Sequence, residues 1–232
     1  MKVQQTFVLL TPIIVACALA RWNSAGEICN GVPKADSVAR GNRHFVRINT
    51  SRMLEVSRDG ITWEHRASPS VDSLHAVAFG NGVFVAVGNE GVVANSPDGT
   101  RWTVRKSGSS ARLRGIVYAN NMFVVVGYEG TILTSKNGRG WTVRSAPASE
   151  RLQSVAFGNG RFVAVGWNGV ILSSEDGKRW IWKESGCCNR LERVTFRDGI
   201  FRVTGSPEVS LTSTDGDKWE ISEEAAVRVA QK

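Results

Sequence analysis

Apolar residues in this chain come in short runs, and each run is closed by the same kind of turn. In LHAVAFGNGVFVAVGNEGVVANSPDGTRWTVRKSG, which begins at Leu74, four β-rich runs are separated by Gly, Asn and Asp. This spacing predicts four strands, near Ala76 to Phe79, Phe84 to Val87, Val92 to Asn95 and Trp102 to Arg105. Gly and Asn tolerate the positive φ of tight turns, and Asp bonds backbone groups just ahead of it. The run VFVAV is apolar at every position, so both faces of the small sheet are expected to be covered.

The phrase recurs without a gap from Leu152, and a tryptophan returns every 39 residues as Trp63, Trp102, Trp141, Trp180 and Trp219. Each closes Ser-x-Asp-Gly-x-x-Trp, with Asn137 replacing Asp in the third copy. The chain therefore divides into five repeats, 35–73, 74–112, 113–151, 152–190 and 191–229, with a three-residue tail at 230–232. Small sheets packed face to face around an axis satisfy strands that are apolar on both sides. The prediction is an all-β, five-bladed β-propeller in which each repeat is a four-stranded antiparallel blade. Blades one and five are degenerate: Arg40 stands where Phe79 does, Arg47 where Ala86 does, and Arg202 where Val163 does. Terminal repeats of open arrays turn polar because nothing stacks on them, whereas a closed ring makes these two blades neighbours. The arginines argue against tight closure, and salt bridges across the seam, a covering leader or a partner chain could each accommodate them.

The phrase Ser-x-Asp-Gly-x-x-Trp resembles a shortened Asp-box, the repeat of the bacterial neuraminidase superfamily. The longer consensus, L-x-x-V-A-F-G-N-G-x-F-V-A-V-G-x-x-G-x-I-L-x-S-x-D-G-x-x-W, resembles the repeats of photosystem II assembly factors and their non-photosynthetic bacterial relatives. The resemblance implies that the box forms the turn between strands three and four. It does not select a function, because such boxes occur in glycosidases, lectins, receptors and assembly factors alike. Sialidases also need an arginine cluster and a Tyr and Glu nucleophile pair on six blades. The chain has only Tyr118 and Tyr128; Tyr118 replaces core Phe, and Glu129 beside Tyr128 is echoed by Glu90. With no nucleophile elbow, phosphate loop or zinc-protease motif, no catalytic residues and no cofactor are expected.

Composition bears on partners and compartment. The 232 residues carry a net charge of +8, which favours acidic partners. Residues 1–20 read as a secretory signal ending in Ala18-Leu19-Ala20, with an apolar run shorter than the about 20 residues of a spanning helix. Residues 21–34 then form a short leader. Ile14-Val15-Ala16-Cys17 also resembles the lipobox of bacterial lipoproteins, so membrane attachment is expected only through lipidation at Cys17. The expected compartment is outside the cytoplasm: periplasmic, secreted or lipid-anchored. Cys29, Cys187 and Cys188 survive cleavage. By repeat register all three lie near the seam, and Cys29 is expected to pair with Cys187 or Cys188, with a vicinal Cys187–Cys188 bridge as the competitor. His44, His65 and His75 are isolated, so no metal site is expected.

Variation within a faithful repeat is where individual function can reside. The turns between strands two and three vary most and carry Tyr128 and Trp167 in blades three and four. Arginine recurs ten residues after three of the tryptophans, as Arg112, Arg151 and Arg190, on the same end of the blades. Guanidinium forks suit carboxylate, sulfate or phosphate, and exposed aromatics suit sugar faces. These five residues are the predicted ligand or partner face. A second basic series, Arg66, Arg105, Arg144 and Lys183, is assigned to the outer edge, where charge blocks strand pairing. The chain thus reads as a non-enzymatic interaction or assembly module for an envelope protein, with a lectin-like binder of anionic glycans as the alternative and a glycosidase behind it. Because the chain is expected to be exported, no nucleic-acid partner is expected.

Overall fold

The computed structural model describes residues 37–68 and 73–222. The signal, leader and tail assignments, Cys17 and Cys29 lie outside these residues. Blade one is β1 (Ser37–Gly41), β2 (His44–Ile48), β3 (Leu54–Ser57) and β4 (Glu64–Arg66); blade two is β5 (Leu74–Gly80), β6 (Val83–Gly88), β7 (Val93–Ser96) and β8 (Thr103–Arg105). Blade three is β9 (Leu113–Ala119), β10 (Met122–Gly127), β11 (Ile132–Ser135) and β12 (Thr142–Arg144); blade four is β13 (Leu152–Gly158), β14 (Arg161–Gly166), β15 (Ile171–Ser174) and β16 (Ile181–Lys183). Blade five is β17 (Arg190–Arg197), β18 (Ile200–Ser206), β19 (Val209–Ser213) and β20 (Glu220–Ile221). Each is an antiparallel meander in chain order, so the protein is an all-β, five-bladed propeller. Each repeat tryptophan sits one residue before its outer strand.

At each of four junctions a blade presents its forward face to the back face of the next blade. Ala39, Val46, Ile48, Leu54 and Val56 of blade one pack on Leu74, Val77, Phe84 and Ala86 of blade two. The same positions meet at the next three junctions, which is why the central strands are apolar on both sides. Phe84, Phe123, Phe162 and Phe201 are fully buried, each contributing about 1.5–3 kcal/mol by burial.

Three devices align neighbouring blades. A glycine at the end of the first strand leaves room for an aromatic ring of the next blade: a Cβ on Gly41, Gly80 or Gly158 would overlap Phe79, Tyr118 or Phe196. Ser37 Oγ exchanges hydrogen bonds with the Val77 backbone, and Ser154 does so with Val194. Asn42 donates to the Gly82 and Pro97 carbonyls, and Asn159 to those of Gly199 and Thr214.

The Asp-boxes are structural. In blade four Ser174 Oγ donates to Asp176 and accepts from Gly177 N, while Asp176 Oδ1 also accepts from Lys178 N and Arg179 N. Those backbone donors hold the Asp176 carboxyl down to about 2. At Asp98 burial acts in the opposite direction, but backbone and hydroxyl donors outweigh it and the carboxyl is again lowered. Asn137 makes the two corresponding backbone bonds without charge.

The inner strands β1, β5, β9, β13 and β17 pack successively, but β17 does not pack on β1 in this manner among the described residues. The seam residues explain why. Where the repeat puts an aromatic on the back face and a glycine on the preceding blade, blade one has Arg40 and blade five has Arg197. Arg193 replaces the bridging serine and Asp198 the bridging asparagine. On the back face of blade one, the apolar pair Ala164 and Leu172 of blade four becomes Arg47 and Glu55, which are ion-paired across the strands.

Candidate functional site

The turns between second and third strands are tied at two points. Tyr128 N and Trp167 N donate to the carbonyls of Arg112 and Arg151, the residues just before each inner strand. Gly130 N and Gly169 N donate to Glu150 and Asn189, in the connections entering the next blades. Gly169 has φ +69°, and a Cβ there would overlap the Cys187 carbonyl. The backbone thereby interleaves arginines and aromatics from successive repeats.

The five predicted site residues come together as one ladder. The Arg112 guanidinium lies 5.4 Å from the Tyr128 ring centroid, and Arg151 lies 4.9 Å from Tyr128 and 4.3 Å from Trp167. Arg190 completes it at 5.4 Å from Trp167 and pairs with Glu192 at 2.8 Å. The arginines are exposed and the aromatics half-buried. Each ring has a guanidinium associated with it from two neighbouring connections, which is the electrostatically favoured placement of a cation on an aromatic face.

Beneath the ladder lies a row of polar residues that sequence reading missed. His75, Arg114, Gln153 and Glu192 occupy the same position in four repeats, directly after the leucine of each inner strand, and pairing skips each of them at a β-bulge. A bulge re-aims the extra side chain. Arg114 lies 3.1 Å from His75 Nδ1 and donates to Gln153 Oε1 at 3.1 Å; His75 Nε2 bonds Asn89 at 2.8 Å. His75 is buried, and desolvation above all pulls its pKa down to about 4. Burial raises the Tyr128 phenol, but hydrogen bonds with Gln153 and Arg112 and nearby positive charge outweigh this and leave it lowered. The 39-residue spacing of 75, 114, 153 and 192 was present in the sequence. Four dissimilar side chains concealed it.

The second basic series belongs to the blades. Arg105 donates to Asn95, Arg144 to Thr134, Lys183 lies 2.8 Å from Asp217 and Arg66 pairs with Glu64, all half-buried. Tyr118 packs on Phe123, as expected of a core ring. Cys187, half-buried, and Cys188, exposed, are free thiols, so the vicinal bridge is not formed; the Cys29 pairing falls outside the described residues. Among the described residues no group of three or more His, Cys, Asp or Glu side chains is placed to hold a metal ion, and no helix is long and apolar enough to cross a membrane.

The chain is a β-propeller repeat protein. By sequence it matches no protein-family profile and no characterised protein. By structure it is similar to YCF48 bound to D1 peptide, with a TM-score of 0.61 and 18% identity over 86% of this chain and 71% of that one. YCF48 from Cyanidioschyzon merolae gives 0.59 and 16% over 81% and 71%. The GH74 enzyme of Niastella koreensis gives 0.57 and 20% over 82% of this chain but only 31% of the enzyme. These likenesses establish a shared fold.

Proposed function

We propose that the chain is an exported, non-enzymatic interaction or assembly module that holds an acidic group of an envelope protein on the Arg112–Tyr128–Arg151–Trp167–Arg190 ladder. The observation that carries this reading is the sharing of rings by guanidiniums. A lectin stacks sugar on a free aromatic face, but here each ring already has two arginines associated with it. What the ladder offers outward is N–H forks, held by the rings and matched to carboxylate. A structural neighbour bound to a peptide adds support for a protein partner. Export rests on the sequence of residues 1–20.

The test is cross-linking of tagged protein in intact cells, comparing wild type with Arg151→Ala. Recovery of a defined envelope protein with wild type, reduced several-fold in the variant, supports the proposal. Saturable binding on a glycan array, lost in the same variant, would replace it with the lectin.

A further inference from the structure

The two ends of the blade array are both polar, but in different ways. On the back face of blade one the charges are neutralised in place. Glu55 takes Arg47, accepts from Asn49 at 3.1 Å and has His65 Nδ1 at 3.2 Å, and Arg47 lies 4.1 Å from the Trp63 centroid. Among the described residues no blade stacks on this face, and its charges are paired within the sheet.

The forward face of blade five is built otherwise. Arg193 stands opposite Thr204, which stands opposite Ser210; Thr195 stands opposite Arg202, which stands opposite Thr212. Residues directly opposite in a sheet share a face, and diagonal neighbours are within reach of long side chains. In blade four the corresponding positions include Ala156, Val163, Val165 and Ile171, all buried against blade five. Blade five thus replaces an apolar face with two exposed arginines set diagonally among four hydroxyl residues. Arg197 at the rim has Asp198 at 3.5 Å. Arg193 and Arg202, by contrast, have no carboxylate partner among the described residues; Arg202 donates only to the Arg197 carbonyl, at 3.4 Å.

We propose that this face is a second docking surface, separate from the ladder, for an acidic protein segment. Two like charges held close on a rigid sheet repel, and a carboxylate-bearing partner relieves that repulsion while the hydroxyls supply hydrogen bonds. A second copy of the chain does not fit, because stacking its blade one here sets Arg40 against Arg197 and brings a Glu55 already paired with Arg47.

The probe is a fluorescein-labelled deca-glutamate peptide, followed by anisotropy with the full chain at low salt. Arg193→Ser with Arg202→Thr is expected to weaken binding at least fivefold with an unchanged melting temperature. Lys106→Ala with Lys136→Ala removes two exposed charges elsewhere and is expected to leave affinity within twofold. Unchanged affinity in the arginine variant, or an equal loss in the lysine variant, overturns the proposal. Arg151→Ala reports the ladder separately: if it loses binding while the Arg193 and Arg202 variant does not, the ladder stands and the second surface falls; if the Arg193 and Arg202 variant loses binding while Arg151→Ala does not, the second surface stands.

Discussion

Arg151 lies with its guanidinium carbon 4.3 Å from the centroid of the Trp167 ring, and the same guanidinium lies 4.9 Å from Tyr128, so one side chain links the turns of blades three and four. Trp167 in turn is associated with both Arg151 and Arg190. Its removal therefore takes a ring contact from two arginines at once. At about 0.5–1 kcal/mol per exposed contact, Trp167→Ala is expected to weaken binding of an acidic partner about 5- to 30-fold. Trp167→Phe, which keeps a ring, should lose much less. Arg151→Ala should both weaken binding and flatten its salt dependence, because exposed charge attraction is screened over about 10 Å at 0.1 M salt. Isothermal titration at two salt concentrations measures all three.

The ladder was legible because register alone carries it. Residues 112, 151 and 190 share one repeat position and residues 128 and 167 another, and the antiparallel meander puts both positions on the same end of the blades. The bulge row was not legible, since His75, Arg114, Gln153 and Glu192 share a position without sharing chemistry, and a bulge leaves no mark in an apolar pattern. The seam lay between these extremes. Arg40, Arg47 and Arg202 stood out as departures from the repeat, yet periodicity cannot distinguish a ring with a salt-bridged seam from an array with unstacked ends. The outer arginines were placed on the correct strand, but their bonds to Asn95 and Thr134 depend on side-chain reach across the blade.

Gly169 and Gly186 form a matched pair. Both have positive φ, +69° and +70°, but a Cβ on Gly169 would overlap the Cys187 carbonyl, whereas Gly186 faces open space. Gly186→Ala should cost only the left-handed strain of about 1–2 kcal/mol. Gly169→Ala should cost at least about 1 kcal/mol more, in line with a substitution incompatible with its native geometry. It should also weaken binding at the ladder, because the displaced turn carries Trp167. Urea denaturation gives the first difference and titration with the partner the second.

Asp176 has a folded pKa of about 2, below the ordinary carboxylate value, so its contribution to stability is present above about pH 4 and is lost as pH falls toward 2. Asn137 shows that an amide can fill the same turn. Asp176→Asn should therefore stay folded at pH 7 and lose less stability between pH 4 and pH 2 than the wild type does. Thermal melts across that range test this, and parallel pH profiles for the two proteins would refute the role assigned to the carboxylate.

Glu55 is the keystone of the blade-one end face. Its side chain is 7% exposed and it receives Arg47, whose own side chain is 16% exposed. Breaking a buried pair by removing one partner costs about 3–5 kcal/mol, and the residual exposure of Arg47 with its contact to Trp63 should reduce this to about 2–3 kcal/mol for Glu55→Ala. The double change Arg47→Ala with Glu55→Leu restores the residues that blade four carries at these positions, Ala164 and Leu172, which there are buried against blade three. If nothing covers the back face of blade one, the double variant exposes an apolar sheet face and should self-associate as concentration rises. Sedimentation velocity reads this directly. A double variant that stayed monomeric and melted higher than wild type would show instead that another part of the chain covers this face in solution.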